Sequence, residues 1–277
     1  MIEKLLTDWE WTINRPENYG WYHIMWLVIM VIACVISCLL WAKKHDKKTD
    51  DKFIFTIGCV LILAEIYKQV FFTLDAQRYQ WYAIPFQFCS IPMYVAFIAP
   101  LIKKEVVKEG LYKFLATFGL LAGVAVMVYP SSCLNTKYIT ILIHTMLWHS
   151  SMVVMGVYLN VSRNYGQNLK ELIPGVIVFS IAVVFAVAAN FIAYDIYFGD
   201  PLKNIYNDSF NLLYVSPYYD TPFPIIGEWK RQMPYAAFLI LYIAMFSLGS
   251  LLLWSIVYVI RKAVLSVNTK RPNFHHA

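Results

Sequence analysis

The residues of this chain that could do covalent chemistry lie inside long apolar segments. Cys89 stands between two prolines in the stretch AIPFQFCSIPMY, and His144 and His149 belong to the stretch ILIHTMLWHSS. A thiol becomes nucleophilic once a neighbouring base takes its proton, and an imidazole is a common base. These residue types predict a Cys–His pair that carries an acyl group as a thioester, with Glu65 orienting the imidazole.

The same groups occupy similar depths in their segments. Glu65 lies nine residues from the outer end of its segment, Cys89 lies eight residues in, and the two histidines lie six and eleven residues in. At a rise of ~1.5 Å per residue, all of them are roughly 9–17 Å below the outer ends. Ionisable side chains are costly in lipid and usually mark a functional interior. The pattern predicts one polar layer, to which we assign Gln87, Lys68 and Asn190 as substrate-binding residues.

Helix geometry leaves the choice of base open. His144 and His149 are five residues apart, which separates them by roughly 140° on a regular helix. Both should face one site only if a π-bulge rotates the helix between them. Pro85 and Pro92 should disturb the helix that carries Cys89, and disturbed backbone is tolerated in a membrane only where it faces protein or a water-filled cavity. We therefore expect Cys89 to face the bundle interior.

A metal site is the less favoured reading of the same residues. Cys89, Glu65 and one histidine have the right donor atoms for Zn²⁺. However, two ligands on one helix normally share a face, and the spacing of five residues between the histidines opposes that. We therefore expect neither a metal nor another cofactor.

The amino-acid composition indicates that membrane-spanning helices position these groups. Hydrophobic residues make up 60% of the 277 residues and charged residues 14%, whereas soluble domains have roughly 45–50% and about 25%. A membrane-spanning helix needs roughly 20 mostly apolar residues. The sequence predicts an all-α, polytopic, seven-transmembrane-helix bundle that forms a single integral membrane domain over residues 1–277. The expected spans are 22–41, 53–74, 81–102, 111–129, 138–160, 172–194 and 235–260.

The distribution of positive charge predicts the orientation. The first, third and fifth loops and the C-terminal tail together hold 15 lysines and arginines, whereas the N-terminal segment and the even loops hold seven. Positive residues concentrate on the cytoplasmic side, so we expect the N-terminus outside and the C-terminus inside, in a multi-pass protein of the cell membrane. The net charge of +6 comes from the lysines and arginines of these loops. This distribution is explained by membrane orientation, which argues against nucleic acid as a partner. The five cysteines show no disulfide framework.

Three segments resemble one family of membrane proteins. IPFQFC resembles the Leu-Pro-x-x-x-Cys signature of YwaF-type bacterial integral membrane proteins, with Ile84 in place of the leucine. LWHSSMVVMGVYL resembles the histidine segment of their fifth span, and VAANFIAYDIYFGDPLKN resembles their sixth span and the loop after it. The family is similar to a eukaryotic transmembrane phospholipid acyltransferase for which a Cys–His pair is proposed. By this resemblance, the pair here is Cys89 and His149.

The expected function is acyl transfer or acyl-ester cleavage on a membrane lipid, in a polar cavity near the outer leaflet. The alternative is a transporter or ligand-binding membrane protein without chemistry, in which Glu65, Lys68 and the histidines bind a solute or carry protons. Proline-broken helices would suit transport, but no inverted repeat is visible. The sequence does not determine the oligomeric state.

Overall fold

The computed structural model describes residues 16–130, 133–134, 136, 138–221 and 223–269. The charged residues expected on either side of the membrane before residue 16 and after residue 269 lie outside this part, as does Lys137. Within it the chain is helical and has no β-strand. The eight helices of the described chain are α1 (Trp21–Leu40), α2 (Lys47–Asp75), α3 (Ile91–Ile98), α4 (Glu105–Val128), α5 (Ile139–Ser162), α6 (Leu172–Ala193), α7 (Pro224–Gln232) and α8 (Tyr235–Thr269).

Six of these helices are long and apolar enough to cross a membrane, namely α1, α2, α4, α5, α6 and α8. They correspond to six of the seven expected spans, so the prediction of a multi-pass helical membrane protein is confirmed. Helix α4 contains a π-helical turn at Leu115–Gly119. Helix α5 is regular from end to end and lies at the centre of the bundle, in contact with α1, α2 and α4.

The prediction of one continuous helix over residues 81–102 is wrong. A short 3₁₀ turn covers Trp81–Ala83, residues 84–90 are not helical, and α3 begins only at Ile91. We call residues 84–90 the cysteine segment. Pro92 occupies the first turn of α3, where a proline is accepted because its missing N–H would have no partner in the helix. Pro92 therefore lies at the start of a helix instead of kinking one, and Pro85 lies in the non-helical segment before it.

Two glycines allow close approach of helices around this segment. A Cβ atom on Gly58 of α2 would lie 2.7 Å from the backbone nitrogen of Phe97 in α3. A Cβ atom on Gly123 of α4 would lie 2.8 Å from the carbonyl oxygen of His149 in α5. Small residues let backbones pack closely in membrane bundles. The backbone behind His149 is thus held directly against α4.

One end of the bundle is closed by a cluster of charges. Arg163 lies 2.5 Å from carboxylate oxygens of both Asp50 and Glu109, and Lys108 lies 2.5 Å from Asp51. Hydroxyl groups complete the cluster by donating to its carboxylates; they belong to Tyr112, Tyr158, Ser162 and Tyr165. Burial of the Tyr165 phenol and its bond to Glu109 raise its pKa far above the usual value. We call this end the charged end, and the opposite one the site end.

Candidate active site

A cavity of about 300 Å³ lies near the site end, between several parts of the chain. Helix α2, the cysteine segment, helix α5 and the loop before α7 each contribute side chains. Six of the seven expected site residues line it, which are Glu65, Lys68, Gln87, Cys89, His144 and His149. The predicted polar layer therefore corresponds to one shared cavity.

Both histidines line this cavity without any π-bulge in α5. The expectation that only one of them could face the site was therefore wrong. The lining residues of α5 are spaced at i, i+3, i+4, i+7 and i+8, which forms a broad stripe on one side of a helix. The two histidines occupy the edges of this stripe, whose members are Ile141, His144, Thr145, Trp148 and His149.

The cysteine segment has non-helical backbone within the bundle, and other elements satisfy its carbonyl groups. Such backbone is stable in a membrane protein only where protein or water supplies hydrogen bonds. Donors come from α2, α3, α5 and the loop before α7. The bonds are Gln69 to Ala83, just before the segment, at 2.7 Å, Tyr94 to Pro85 at 2.9 Å, Leu213 N–H to Phe86 at 3.0 Å and Trp148 to Cys89 at 2.9 Å. The partly exposed Cys89 thus has a fixed backbone position.

The imidazole of His149 has a defined tautomer. Its Nδ1 lies 2.7 Å from the carbonyl oxygen of Thr145. A carbonyl can only accept, so the neutral ring carries its proton on Nδ1. The buried Nε2 is left as an acceptor, with no hydrogen-bond partner in the described residues. His149 is therefore set up to take a proton from a group in the cavity.

Glu65 does not orient either imidazole. Its Oε1 accepts from Gln69 at 2.6 Å and lies 2.8 Å from the ammonium group of Lys68. The partner that orients His149 is instead the Thr145 carbonyl one turn earlier in α5. The (i, i+3) and (i, i+4) spacing places these three α2 side chains on one face, where Glu65 and Lys68 form an ion pair.

Gln87 and Asn190 have different roles from each other. Gln87 lines the cavity and donates its amide N–H to the carbonyl of Asn211 at 3.0 Å. Asn190 of α6 is not among the cavity-lining residues. Its side chain accepts from the N–H of Leu212 at 2.8 Å and donates to the carbonyl of the same residue at 3.1 Å. The sequence predicted that Asn190 contacts a substrate. In the structure, Asn190 instead positions the loop that contains Leu212.

That loop contributes a residue that sequence reasoning missed. Leu213 and Tyr214 both have left-handed backbone conformations, with φ of 53° and 56°. Such conformations cost roughly 1–3 kcal/mol each at non-glycine residues and tend to occur at functional sites. Tyr214 lines the cavity, and so does Cys133. No motif marks Tyr214, because its position depends on contacts with distant helices.

The cavity contains several buried polar atoms without a hydrogen-bond partner in the described chain. They are Glu65 Oε2, Gln87 Oε1, His144 Nε2 and His149 Nε2. Buried polar groups in native proteins are nearly always satisfied, so a group of exceptions indicates water or a ligand. Oxygen acceptors and imidazole nitrogens suit a ligand that has hydroxyl groups.

Comparison with protein families supports the assignment of the chain as a membrane protein. A model of the TMEM164 family matches residues 18–258. The chain belongs to the TMEM164 family. No curated protein and no solved structure shows a significant match. The matched range includes every cavity residue of this TMEM164-family protein, whereas the similarity to YwaF-type proteins stays a prediction.

The Glu65 carboxylate and the His149 imidazole of this TMEM164-family site are engaged with other protein groups. Within the described ranges, no three His, Cys, Asp or Glu side chains lie close enough together to hold a metal ion. The donors that could do so are already committed, because Glu65 is paired with Lys68 and the His149 ring is bonded to Thr145.

Proposed function

We propose that this protein is a thiol-dependent lipid acyltransferase or acyl-ester hydrolase. Cys89 is the nucleophile, His149 is its base, and the polar groups of Glu65, Lys68 and Gln87 bind the substrate. The observation that carries the proposal is the common cavity, which both Cys89 and His149 line, together with the oriented His149 ring whose buried Nε2 has no partner in the described residues. Nucleophile, base and orienting group are the parts that covalent catalysis requires.

In the first step, His149 Nε2 takes the proton of the Cys89 thiol, and the sulfur attacks the carbonyl carbon of a lipid ester. The carbonyl electron pair moves to oxygen and forms a tetrahedral intermediate. When this collapses, the C–O ester bond breaks, and the leaving alkoxide takes the proton from the imidazolium. A thioester on Cys89 and a lipid alcohol result.

In the second step, a hydroxyl group attacks the thioester carbonyl carbon while His149 takes its proton. The C–S bond then breaks, and the imidazolium returns the proton to the Cys89 sulfur. A lysolipid hydroxyl gives acyl transfer, and water gives hydrolysis. Gln87 Oε1 and His144 Nε2 have no hydrogen-bond partner in the described residues. Both could accept a hydrogen bond from a hydroxyl group of the second substrate. His144 is thus assigned to binding the second substrate, and His149 to proton transfer.

A lipid substrate is supported by the surroundings of the cavity. Its lining includes Phe72 and the strongly exposed Tyr82, so its mouth is aromatic and lies towards the outside of the bundle. Aromatic side chains of this kind concentrate where a membrane protein meets the headgroup region. An ester group of a phospholipid lies near that level.

We further propose seven membrane crossings, with the N-terminus outside and the C-terminus inside. The start of α4 lies beside the start of α2, because Glu105 pairs with Lys47 and Lys108 with Asp51. The chain must therefore return from the end of α2 to that side between residues 76 and 104. At roughly 3.3 Å per extended residue and about 1.5 Å per helical residue, residues 81–101 are long enough for a core of about 30 Å.

The packing between the cavity and the charged end supports transport less well than it supports catalysis. Apolar residues there form one continuous buried cluster, with Leu61, Phe118 and Met152 among its members. The network around Arg163 lies beyond it. A solute would have to break both layers to pass through the described bundle.

The test uses the purified full chain in lipid nanodiscs, given a phospholipid with a labelled acyl chain and a lysophospholipid acceptor. We expect label on Cys89 that hydroxylamine removes, and transfer of label to the acceptor. Cys89→Ser should abolish both, and His149→Ala should slow transfer by about 10²–10⁴-fold. Cys59→Ser is the matched control, since Cys59 lies outside the cavity lining. Unchanged transfer in the Cys89 and His149 variants would overturn the proposal.

A further inference from the structure

The loop that contains Tyr214 is inserted into the bundle and is held there by several elements. Leu213, Val215 and Ser216 are fully buried. Asn190 of α6 bonds both backbone groups of Leu212, and two tyrosines of α8 donate to the loop carbonyls. These bonds run from Tyr242 to Leu213 at 2.7 Å and from Tyr235 to Val215 at 2.7 Å. We call residues 211–216 the buried loop.

The buried loop is also bonded directly to the cysteine segment. The N–H of Leu213 donates to the carbonyl of Phe86, and the Gln87 side chain donates to the carbonyl of Asn211. These two bonds join residues just before Tyr214 to residues just before Cys89. A displacement of either segment would be transmitted to the other, so the relative position of phenol and thiol is fixed.

The phenol of Tyr214 is suited to donate a hydrogen bond. Its side chain lines the cavity, and in the described chain its hydroxyl makes no hydrogen bond of its own. Burial and the neighbouring Cys89 and Cys133 raise the pKa of Tyr214 to about 12. The phenol therefore keeps its proton at physiological pH. It can donate a hydrogen bond to an anionic group nearby.

We propose that Tyr214 is a further catalytic residue, whose phenol O–H donates to the oxyanion formed when Cys89 attacks the acyl carbonyl; this rests on the proposed function. The negative charge on the former carbonyl oxygen has to be stabilised, and preorganised donors do this best. The amide of Gln87 is committed to Asn211, and the ammonium of Lys68 is paired with Glu65. Tyr214 supplies an uncommitted donor on the same cavity wall.

The strained backbone fits this role. Two consecutive left-handed residues are unfavourable, and such strain persists only where the surrounding structure enforces it. Here the bonds from α6, α8 and the cysteine segment enforce it. An extended or helical backbone at Leu213 and Tyr214 would send the phenol in another direction. The strain thus holds the donor in place before the reaction begins.

The experiment compares Tyr214→Phe with the wild type in the acyl-transfer assay, alongside alkylation of Cys89 by a maleimide. We expect transfer to fall about 100-fold, while alkylation and thermal stability stay close to wild type. Tyr218→Phe is the control, because Tyr218 is in the same loop region but outside the cavity lining. As a second variant, fluorinated tyrosines at position 214 keep the ring shape and make the phenol more acidic, so the transfer rate should follow phenol acidity.

The outcomes separate this inference from the proposed function. If Cys89→Ser is inactive while Tyr214→Phe transfers acyl groups like wild type, the role of Tyr214 is refuted and the thiol mechanism stands. If Tyr214→Phe loses activity but the rates of the fluorotyrosine proteins do not follow acidity, the residue is structural and the inference is again refuted. If Cys89→Ser stays active, both proposals fail.

Discussion

The indole N–H of Trp148 in α5 donates to the carbonyl oxygen of Cys89 across 2.9 Å. The helix that carries both histidines is thereby joined directly to the residue proposed as nucleophile. His144 lies against the same indole, with 5.2 Å between the ring centres. Trp148 therefore joins Cys89 to α5 at the residue that directly precedes His149, the other member of the candidate pair.

Replacement of Trp148 by phenylalanine should loosen the cysteine segment. The substitution keeps an aromatic ring but removes the N–H, so the Cys89 carbonyl loses its partner at a cost of about 1–3 kcal/mol. We expect a lower midpoint of unfolding in SDS mixed micelles and altered maleimide reactivity of Cys89. Trp41→Phe is the control, since Trp41 is 37% exposed and lies outside the cavity lining. Equal effects of both substitutions would contradict the positional role of Trp148.

The pair of Lys68 and Glu65 should behave differently when one or both partners are removed. Lys68→Met leaves the Glu65 carboxylate without its cation in a buried place, which costs about 3–5 kcal/mol. The double variant Lys68→Met with Glu65→Leu should recover most of this stability, because no charge is left unpaired.

Unfolding in mixed micelles measures the stability, and the acyl-transfer assay measures function. If the double variant is stable and fully active, the pair serves only to neutralise itself in the bundle. If it is stable and inactive, the pair binds the substrate. A double variant as unstable as Lys68→Met would show that the energetic account of the pair is wrong.

The sequence predicted six helices correctly because their apolar length is a local property. It failed for residues 81–102, where apolar content alone suggested a helix. There, Pro85 and Pro92 remove backbone donors, and partners from outside the segment, Trp148 and Leu213, make the non-helical path stable. Such partners are brought near only by the tertiary fold, so the sequence pattern does not contain them.

The sequence predicted most of the residues of the candidate site, but not the hydrogen bonds between them. Ionisable groups at one depth are visible in a sequence because the membrane makes them rare. The orienting group of His149 is a backbone carbonyl, which every residue has and no pattern marks. Tyr214 was missed for a related reason, since one tyrosine among 20 becomes distinct only through its buried loop.

Asn190 should control the buried loop without touching the substrate. Asn190→Ala removes the two bonds to the Leu212 backbone, so we expect faster amide hydrogen exchange in residues 211–216 and slower acyl transfer. The exposed Asn207 lies in the same loop region, and Asn207→Ala is the control. Slower transfer with unchanged exchange would instead favour the direct substrate contact that the sequence suggested.

Arg163 should stabilise the bundle at the charged end and have no part in the chemistry at the other end. Its side chain is 6% exposed and lies between Asp50 and Glu109. Arg163→Gln leaves these carboxylates without their shared cation, at a cost of about 3–5 kcal/mol. Arg231→Gln is the control, since that arginine is exposed and its ion pairs are screened by water.

We expect Arg163→Gln to lower the unfolding midpoint in mixed micelles strongly, whereas Arg231→Gln leaves it nearly unchanged. The acyl-transfer rate per folded molecule should stay at the wild-type level, because the apolar cluster separates Arg163 from the cavity. A change in that rate at unchanged stability would mean that the charged end communicates with the site. Such coupling would contradict the separation of the two ends by the apolar cluster.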